Sequence, residues 1–98
     1  MKDQMICGSI LHRAIWRVKA VVSKNVTGLH PVSERLASKD ASVNFVVSDR
    51  SADRDMLALD VSCAIADIYS VEDSPVSFDI KVGTETITVQ MRVNPASV

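Results

Sequence analysis

The chain has 98 residues, of which 47% are apolar and 23% are charged, and its formal net charge is −1. This length and composition are typical of a single soluble globular domain, which we therefore expect. No apolar run approaches the roughly 20 residues that cross a membrane, and the N-terminal run before Gly8 is too short for a signal peptide. We therefore expect a cytoplasmic protein without a membrane span.

The charges are distributed unevenly along the chain. Residues 1–39 carry seven Lys or Arg against two acids, a net charge of +5, and residues 40–98 carry ten acids against four Lys or Arg, a net charge of −6. This division predicts a bipolar molecule, with a basic helix and an acidic sheet, that stacks on copies of itself or meets an acidic partner. The alternative is that the charges only keep two different elements solvated.

The first predicted element is a helix over residues 9–25. Its apolar residues recur at the spacing of one helical face, and they are Leu11, Ala14, Ile15, Val18, Val21 and Val22. Ser9 is the predicted N-cap. Gly28, just beyond the last apolar residue, can take the left-handed conformation that ends a helix, so we expect the helix to stop near Asn25 or Val26.

The outward face of this helix carries the candidate partner-binding residues, which are Arg13, Trp16, Arg17 and Lys24, with Lys19 at the edge. The helix contains no acidic residue to neutralise these cations. Trp and Arg are the residue types most often found at the energetic centres of protein interfaces. The alternative is a merely solvated basic face, with Trp16 packed under a loop over residues 29–40.

Four strands are predicted after the helix, because the apolar period changes from 3.6 to 2 near residue 42. They cover residues 43–48, 57–66, 76–82 and 86–93. We expect a loop with at most one helical turn over residues 28–41, charged loops over 48–55 and 70–75, and a hairpin turn at Gly83. No internal repeat is evident. The predicted fold is α+β in a single domain, with one long N-terminal helix packed on a four-stranded antiparallel β-sheet in meander order.

No residue pattern typical of catalysis or metal binding is present. Cys7 and His12 do not share a helix face, and the Cys and His residues lack CxxC or HxxxH spacing. The aspartates of residues 49–55 lack the glycine and closing Glu of a calcium loop. We expect that the protein is not an enzyme and binds no cofactor, metal or small-molecule substrate. An acidic sheet would repel phosphate groups, which argues against nucleic acid as a partner. Cys7 and Cys63 are expected to be buried free thiols, with Cys63 pointing into the core, and a disulfide is the alternative.

Three stretches share apolar patterns with a known family. They are RAIWRVKAVVSKNVTGLHPV (Arg13–Val32), with its V-x-G-L ending, ALDVSCAIADIY (Ala58–Tyr69) and ITVQMRV (Ile87–Val93). They resemble the first helix, the central strand and the terminal strand of the alkaline-shock protein family. Members of that family carry a second long helix between those two strands, where residues 72–86 of this chain have the pattern of a strand and a turn.

The resemblance implies a non-enzymatic protein of the stress response that self-associates and is often membrane-associated through partners. We therefore expect a structural or scaffold protein of the alkaline-shock type that forms homo-oligomers or docks on a protein partner. The alternative is a small binding module, such as a phage tail component or an inhibitor protein, that places its basic helix on an acidic partner.

Overall fold

The residues that the structure describes form two helices and one four-stranded antiparallel sheet, which confirms the α+β class. The computed structural model of the protein describes residues 6–69 and 74–94, with side chains for residues 10–68 and 74–94. The helices are α1, Ile6–Asn25, and α2, Arg54–Tyr69. The strands are β1, Leu29–Leu36, β2, Asp40–Val47, β3, Val76–Val82, and β4, Thr86–Val93.

Helix α1 contains the predicted apolar stripe but begins earlier than expected. It starts at Ile6, so Ser9 lies inside the helix and is not its N-cap. Leu11, Ile15 and Val18 are buried against the sheet. Burying one such side chain contributes roughly 1.5–3 kcal/mol, which explains why this stripe fixes the orientation of the helix.

The end of α1 follows the prediction. The helix stops at Asn25, and Gly28 adopts a φ of 87°, a conformation that other L-residues rarely take. The carbonyl oxygen of Gly28 then accepts hydrogen bonds from the Ser48 N–H at 2.8 Å and the Ser48 hydroxyl at 3.1 Å. These bonds attach the start of β1 to the end of β2.

The strand order is β1-β2-β4-β3, so the predicted meander is wrong. The pair β2 and β4 forms the centre of the sheet, where Val43 lies opposite Val89, and β1 and β3 are the two edges. One face of the central pair is buried under the helices, and its side chains are Ala41, Val43, Phe45, Val47, Ile87, Val89 and Met91. The predicted hairpin at Gly83 is confirmed as β3 and β4.

The predicted loop over residues 28–41 is wrong over most of its length, because residues 29–36 form β1. Only Leu29 of this strand is buried, and the side chains from His30 to Leu36 are exposed. An edge strand of this kind shows no alternation between apolar and polar residues. It is held by backbone hydrogen bonds to β2, which almost any side chain permits, so the apolar pattern could not reveal it.

The predicted strand over residues 57–66 is also wrong, because this stretch belongs to α2. Its buried residues Val61 and Ile65 are four apart, a spacing that fits both a helical face and alternation along a strand. The start of the helix is fixed by Asp53, whose Oδ1 accepts hydrogen bonds from the N–H of Asp55 at 3.0 Å and of Met56 at 3.3 Å. This is the geometry of an N-cap.

Cys63 is an exposed free thiol on α2, so the expectation that it is buried in the core is wrong. Cys7 lies in α1, but its side chain is outside the described residues. Residues 70–73 of the predicted acidic loop over 70–75 also lie outside them.

The architecture repeats the order helix–strand–strand twice, α1-β1-β2 and then α2-β3-β4. The apolar residues of α2 that face the sheet follow those of α1 by 46 positions, so that Leu57 corresponds to Leu11 and Val61 to Ile15. Both helices pack on the same face of the sheet, α1 across all four strands and α2 over β3, and they contact each other. Their outward faces therefore form one continuous outer layer. Within the described residues, no helix is long and apolar enough to cross a membrane.

Candidate protein interaction surface

The outward face of α1 presents a tryptophan between two arginines. Trp16 is 68% exposed, and the side chains of Arg13 and Arg17 are exposed beside it. Residues 29–36 are an edge strand and do not cover Trp16. Because Trp side chains are usually mostly buried, an exposed one is the kind of residue that a partner covers.

Lys24 and Lys19, the other two predicted binding residues, differ in their surroundings. Lys24 is exposed seven positions after Arg17, on the same side of the helix. Lys19 is half-buried, and its Nζ lies 2.7 Å from Oε1 of Glu34 on β1. We define the basic face as Arg13, Trp16, Arg17 and Lys24, and Lys19 is not part of it. Among the described residues, Arg13, Arg17 and Lys24 have no ion-pair partner.

A groove runs beside the basic face, between α1 and the start of β3. It encloses about 390 Å³ and is lined on one side by Arg13, Trp16 and Arg17. Its other side is formed by Ile68 and Val76. The groove therefore combines apolar walls with two guanidinium groups that have no acidic partner among the described residues, a combination suited to a carboxylate next to an apolar side chain.

The outward face of α2 carries an apolar row that was not predicted from the sequence. We define the apolar row as Met56, Leu59, Cys63 and Ala66, and all four are exposed. Met56 is 54% and Leu59 is 55% exposed. The spacing of three, four and three residues is that of a seam between packed helices. This spacing could have revealed the row from the sequence. The opposite face of the same helix is also apolar, however, so the helical period is not clear.

Acidic residues flank the apolar row. Asp55, Asp60 and Asp67 are exposed on α2, and Arg54 is its only basic residue, so α2 has a net charge of −2. Helix α1 has no acidic residue and four Lys or Arg, a net charge of +4. The outer layer of the molecule thus places a basic helix beside an acidic one.

The predicted acidic sheet is wrong, because the strands are neutral. They contain three acids and three bases, which are Glu34, Asp40, Asp79, Arg35, Lys81 and Arg92. On the sheet face away from the helices, two of these bases have acidic neighbours: Arg35 lies 3.5 Å from Asp40, and Arg92 lies 3.6 Å from Asp79. A hollow of about 320 Å³ lies between these pairs, and Lys39 also lines it. Lys81 lies on the same face without an ion-pair partner among the described residues, so this face has a net charge of +1, smaller than the +4 of α1.

The aspartates that follow β2 have local structural contacts. Asp49 Oδ1 accepts hydrogen bonds from the Ser51 hydroxyl at 2.7 Å and the Ser51 N–H at 3.0 Å. Both bonds lower the pKa of the Asp49 carboxyl, and the bond from the hydroxyl has the larger effect. Asp53 caps α2. The part of the chain that the structure describes contains no group of three or more His, Cys, Asp or Glu residues arranged to hold a metal ion.

No protein-family model, no curated protein and no solved structure matches this chain. The resemblance to the alkaline-shock protein family therefore stays a prediction.

Proposed function

We propose that this protein is a non-enzymatic structural protein that self-associates, with the basic face of one copy placed on the apolar row and flanking aspartates of a second copy. The observation that carries this proposal is the pairing of opposite net charges, +4 on α1 and −2 on α2, in one outer layer. Opposite charges steer encounter and select the partner, while burial of apolar area supplies most of the affinity.

The apolar residues of the outer layer support a protein partner over a solvated surface. Trp16, Met56 and Leu59 are each more than half exposed. Burying a side chain of this size is worth roughly 1.5–3 kcal/mol compared with leaving it in water. The basic face runs from Arg13 to Lys24, 12 residues or about 16.5 Å of helix, and the apolar row runs from Met56 to Ala66, 11 residues or about 15 Å, so the two surfaces are similar in length.

The arrangement of the helices also supports a closed dimer. Because α1 and α2 lie side by side, a twofold axis between them brings α1 of each copy onto α2 of the other. Both charge pairings form in the same dimer, and neither helix face is left uncovered. An interface of this type is closed, so it produces dimers rather than open chains.

The resemblance to the alkaline-shock family agrees with self-association, since members of that family tend to self-associate. Membership in the family, a role in the stress response and a cytoplasmic location belong to this proposal.

The groove beside the basic face favours a second candidate function, a binding module for an acidic protein. Its two arginines and Trp16 would receive an acidic side chain followed by an apolar one. In this case the partner is a different protein, and the acidic face of α2 plays no part.

Charge reversal separates the two candidates. One variant carries Arg13→Glu and Arg17→Glu, which changes the net charge of the basic face from +3 to −1. The other carries Asp60→Arg and Asp67→Arg, which changes the net charge of α2 from −2 to +2. Each variant alone places like charges in the proposed interface. Their equimolar mixture restores both pairings, with the reversed face of α1 of one variant on the basic α2 of the other.

The readout is the fluorescence of Trp16, the single tryptophan of the chain. We expect its emission to shift to shorter wavelength as the wild-type concentration rises and to shift back in high salt. Each variant alone should lose the shift with concentration, and the mixture should recover it. Arg35→Glu with Lys39→Glu, an equal change of charge outside the helices, should behave as the wild type. If wild-type emission does not depend on concentration, or the mixture does not recover the shift, helix-mediated self-association is wrong.

A further inference from the structure

The two edge strands of the sheet differ in how they are protected against pairing with another strand. In β1, Pro31 lacks an N–H, the register with β2 shifts between Pro31 and Ser33, and Glu34 places a charge on the helix-facing side. Prolines, bulges and inward charges are the devices that block the edges of sheets. In β3 there is no proline within the strand, and the register with β4 is continuous from Val76 to Val82.

The backbone of β3 alternates between groups that bind β4 and groups that point outward. The Asn94 N–H donates to the Pro75 carbonyl at 2.8 Å, and the Gly83 N–H donates to the Thr86 carbonyl at 2.7 Å. In an antiparallel pair, hydrogen-bonded positions alternate, so the odd-numbered residues of β3 bind β4 and the even-numbered ones point to the outer edge. The Ser74 hydroxyl binds both the N–H and the carbonyl of Val76. Ile80 and Val82 lie beyond this cap.

We propose that β3 pairs in antiparallel orientation with β3 of a second copy, centred on Ile80. In this register Ile80 faces its own counterpart, and the two residues exchange their outward N–H and carbonyl groups. Asp79 then lies directly opposite Lys81 of the second copy, and this contact occurs twice by symmetry. The sequence of β3 is thus self-complementary in charge about Ile80.

The neighbouring registers are disfavoured by the same charges. A shift in one direction places Asp79 opposite its own counterpart, and a shift in the other direction places Lys81 opposite its own counterpart. Opposite charges across an antiparallel pair stabilise it, and like charges destabilise it. Val82, which is 43% exposed, loses part of its exposure in the favoured register.

This inference rests on the proposed function, self-association, and adds a second contact to it on a different surface. The sheet then continues across two copies as eight strands. A molecule with two separate twofold contacts, one through its helices and one through β3, forms linear chains in which the two contacts alternate. The partner in both contacts is another copy of this chain.

The test uses Arg13→Glu with Arg17→Glu as the background, so that the helix contact is absent and only the β3 contact is measured. In this background we expect dimers by light scattering. Ile80→Pro removes an outward N–H without removing a hydrogen bond to β4, and it should abolish the dimer. Ile80→Ala is the matched control, because it shortens the same side chain but keeps the N–H, and it should retain the dimer.

Charge exchange tests the register. Lys81→Asp places aspartate opposite aspartate, and we expect it to weaken dimerisation about five- to tenfold. Adding Asp79→Lys restores opposite charges and should recover most of the affinity when all compared variants also carry Arg92→Gln, which removes the guanidinium that lies 3.6 Å from Asp79 in the same copy. Lys39→Asp, the same change of charge at an exposed site outside β3, should have no effect.

A background variant that is monomeric, an Ile80→Pro variant that still dimerises, or a double exchange that fails to recover affinity would each overturn the β3 contact. None of these results affects the Trp16 fluorescence test, so the failure of this inference and the failure of the proposed function can be distinguished.

Discussion

The carboxyl group of Asp49 shows how a single side chain responds to its local fold. It accepts hydrogen bonds from the hydroxyl and the N–H of Ser51, and these bonds lower its pKa. The charged form is therefore favoured in the folded state. Its contribution to stability is present above the ordinary carboxyl pKa of about 3.9 and is lost as the pH falls through the lower folded value.

We expect Ser51→Ala to raise the pKa of Asp49 toward its ordinary value, because the stronger of the two hydrogen bonds is removed. A titration of the side-chain carboxyl carbon by NMR measures this change directly. Ser48→Ala, which removes a hydroxyl bound to Gly28 instead, is the control and should leave the pKa of Asp49 unchanged. An unchanged Asp49 pKa in Ser51→Ala would contradict the geometry of this turn.

The two sides of α2 should respond very differently to the loss of a side chain. Ile65 is fully buried and Leu59 is 55% exposed. We expect Ile65→Ala to lower the free energy of unfolding by about 2–5 kcal/mol. Leu59→Ala should change it by less than about 0.5 kcal/mol, because an exposed position away from special contacts contributes little.

Urea unfolding of monomeric protein measures both variants. The proposed function adds a second expectation, that Leu59→Ala weakens the concentration-dependent shift of Trp16 fluorescence although it leaves stability unchanged. Equal losses of stability for the two variants would mean that α2 is rotated from the orientation described above.

At the scale of elements, α2 depends on its N-cap. We expect Asp53→Ala to lower the free energy of unfolding by about 0.5–2 kcal/mol, since the N–H groups of Asp55 and Met56 lose their acceptor. Asp53→Asn keeps a side-chain oxygen at the same place and should change stability much less. Urea unfolding of both variants checks this, and similar losses for Ala and Asn would argue against the cap.

The apolar periods in the sequence identified some elements and not others. Helix α1 and the hairpin β3–β4 have one apolar side and one polar side, so their periods are clear. Helix α2 buries Val61 and Ile65 but exposes Met56 and Leu59 on its other side, and this second apolar face conceals the helical period. Asp53 followed by an apolar run was a cap signal that the strand prediction overlooked.

At the scale of the whole molecule, the strand order predicts a gradient of stability across the sheet. Strands β2 and β4 have hydrogen-bonded neighbours on both sides, and β1 and β3 have a neighbour on one side within the described residues. We expect the amides of β2 and β4 that bind each other to exchange with deuterium only on global unfolding. The outward amides of the edges should exchange much faster.

The exchange rate of the Ile80 amide should depend on protein concentration. Because it points away from β4, it should exchange rapidly in the monomer and slow down as copies pair through β3. The neighbouring amide of Lys81 binds β4 in monomer and dimer alike, so its exchange should change little and serves as an internal control. Equal slowing of both amides would indicate a general stabilisation rather than pairing at the edge.

The sequence by itself determined the α+β class, the stripe and end of α1, the last hairpin and the position of Arg13, Trp16, Arg17 and Lys24 off the apolar stripe, because these follow from local periods and local turn chemistry. Only the tertiary structure decided the order of the strands, the existence of β1 and the direction in which Cys63 points. The tertiary structure also pairs Lys19 with Glu34 and places a basic helix beside an acidic one. The physical reason is that these features depend on contacts between residues that are distant in the chain. Hydrogen bonds between strands form with almost any side chain, so the apolar period does not show which strands are neighbours.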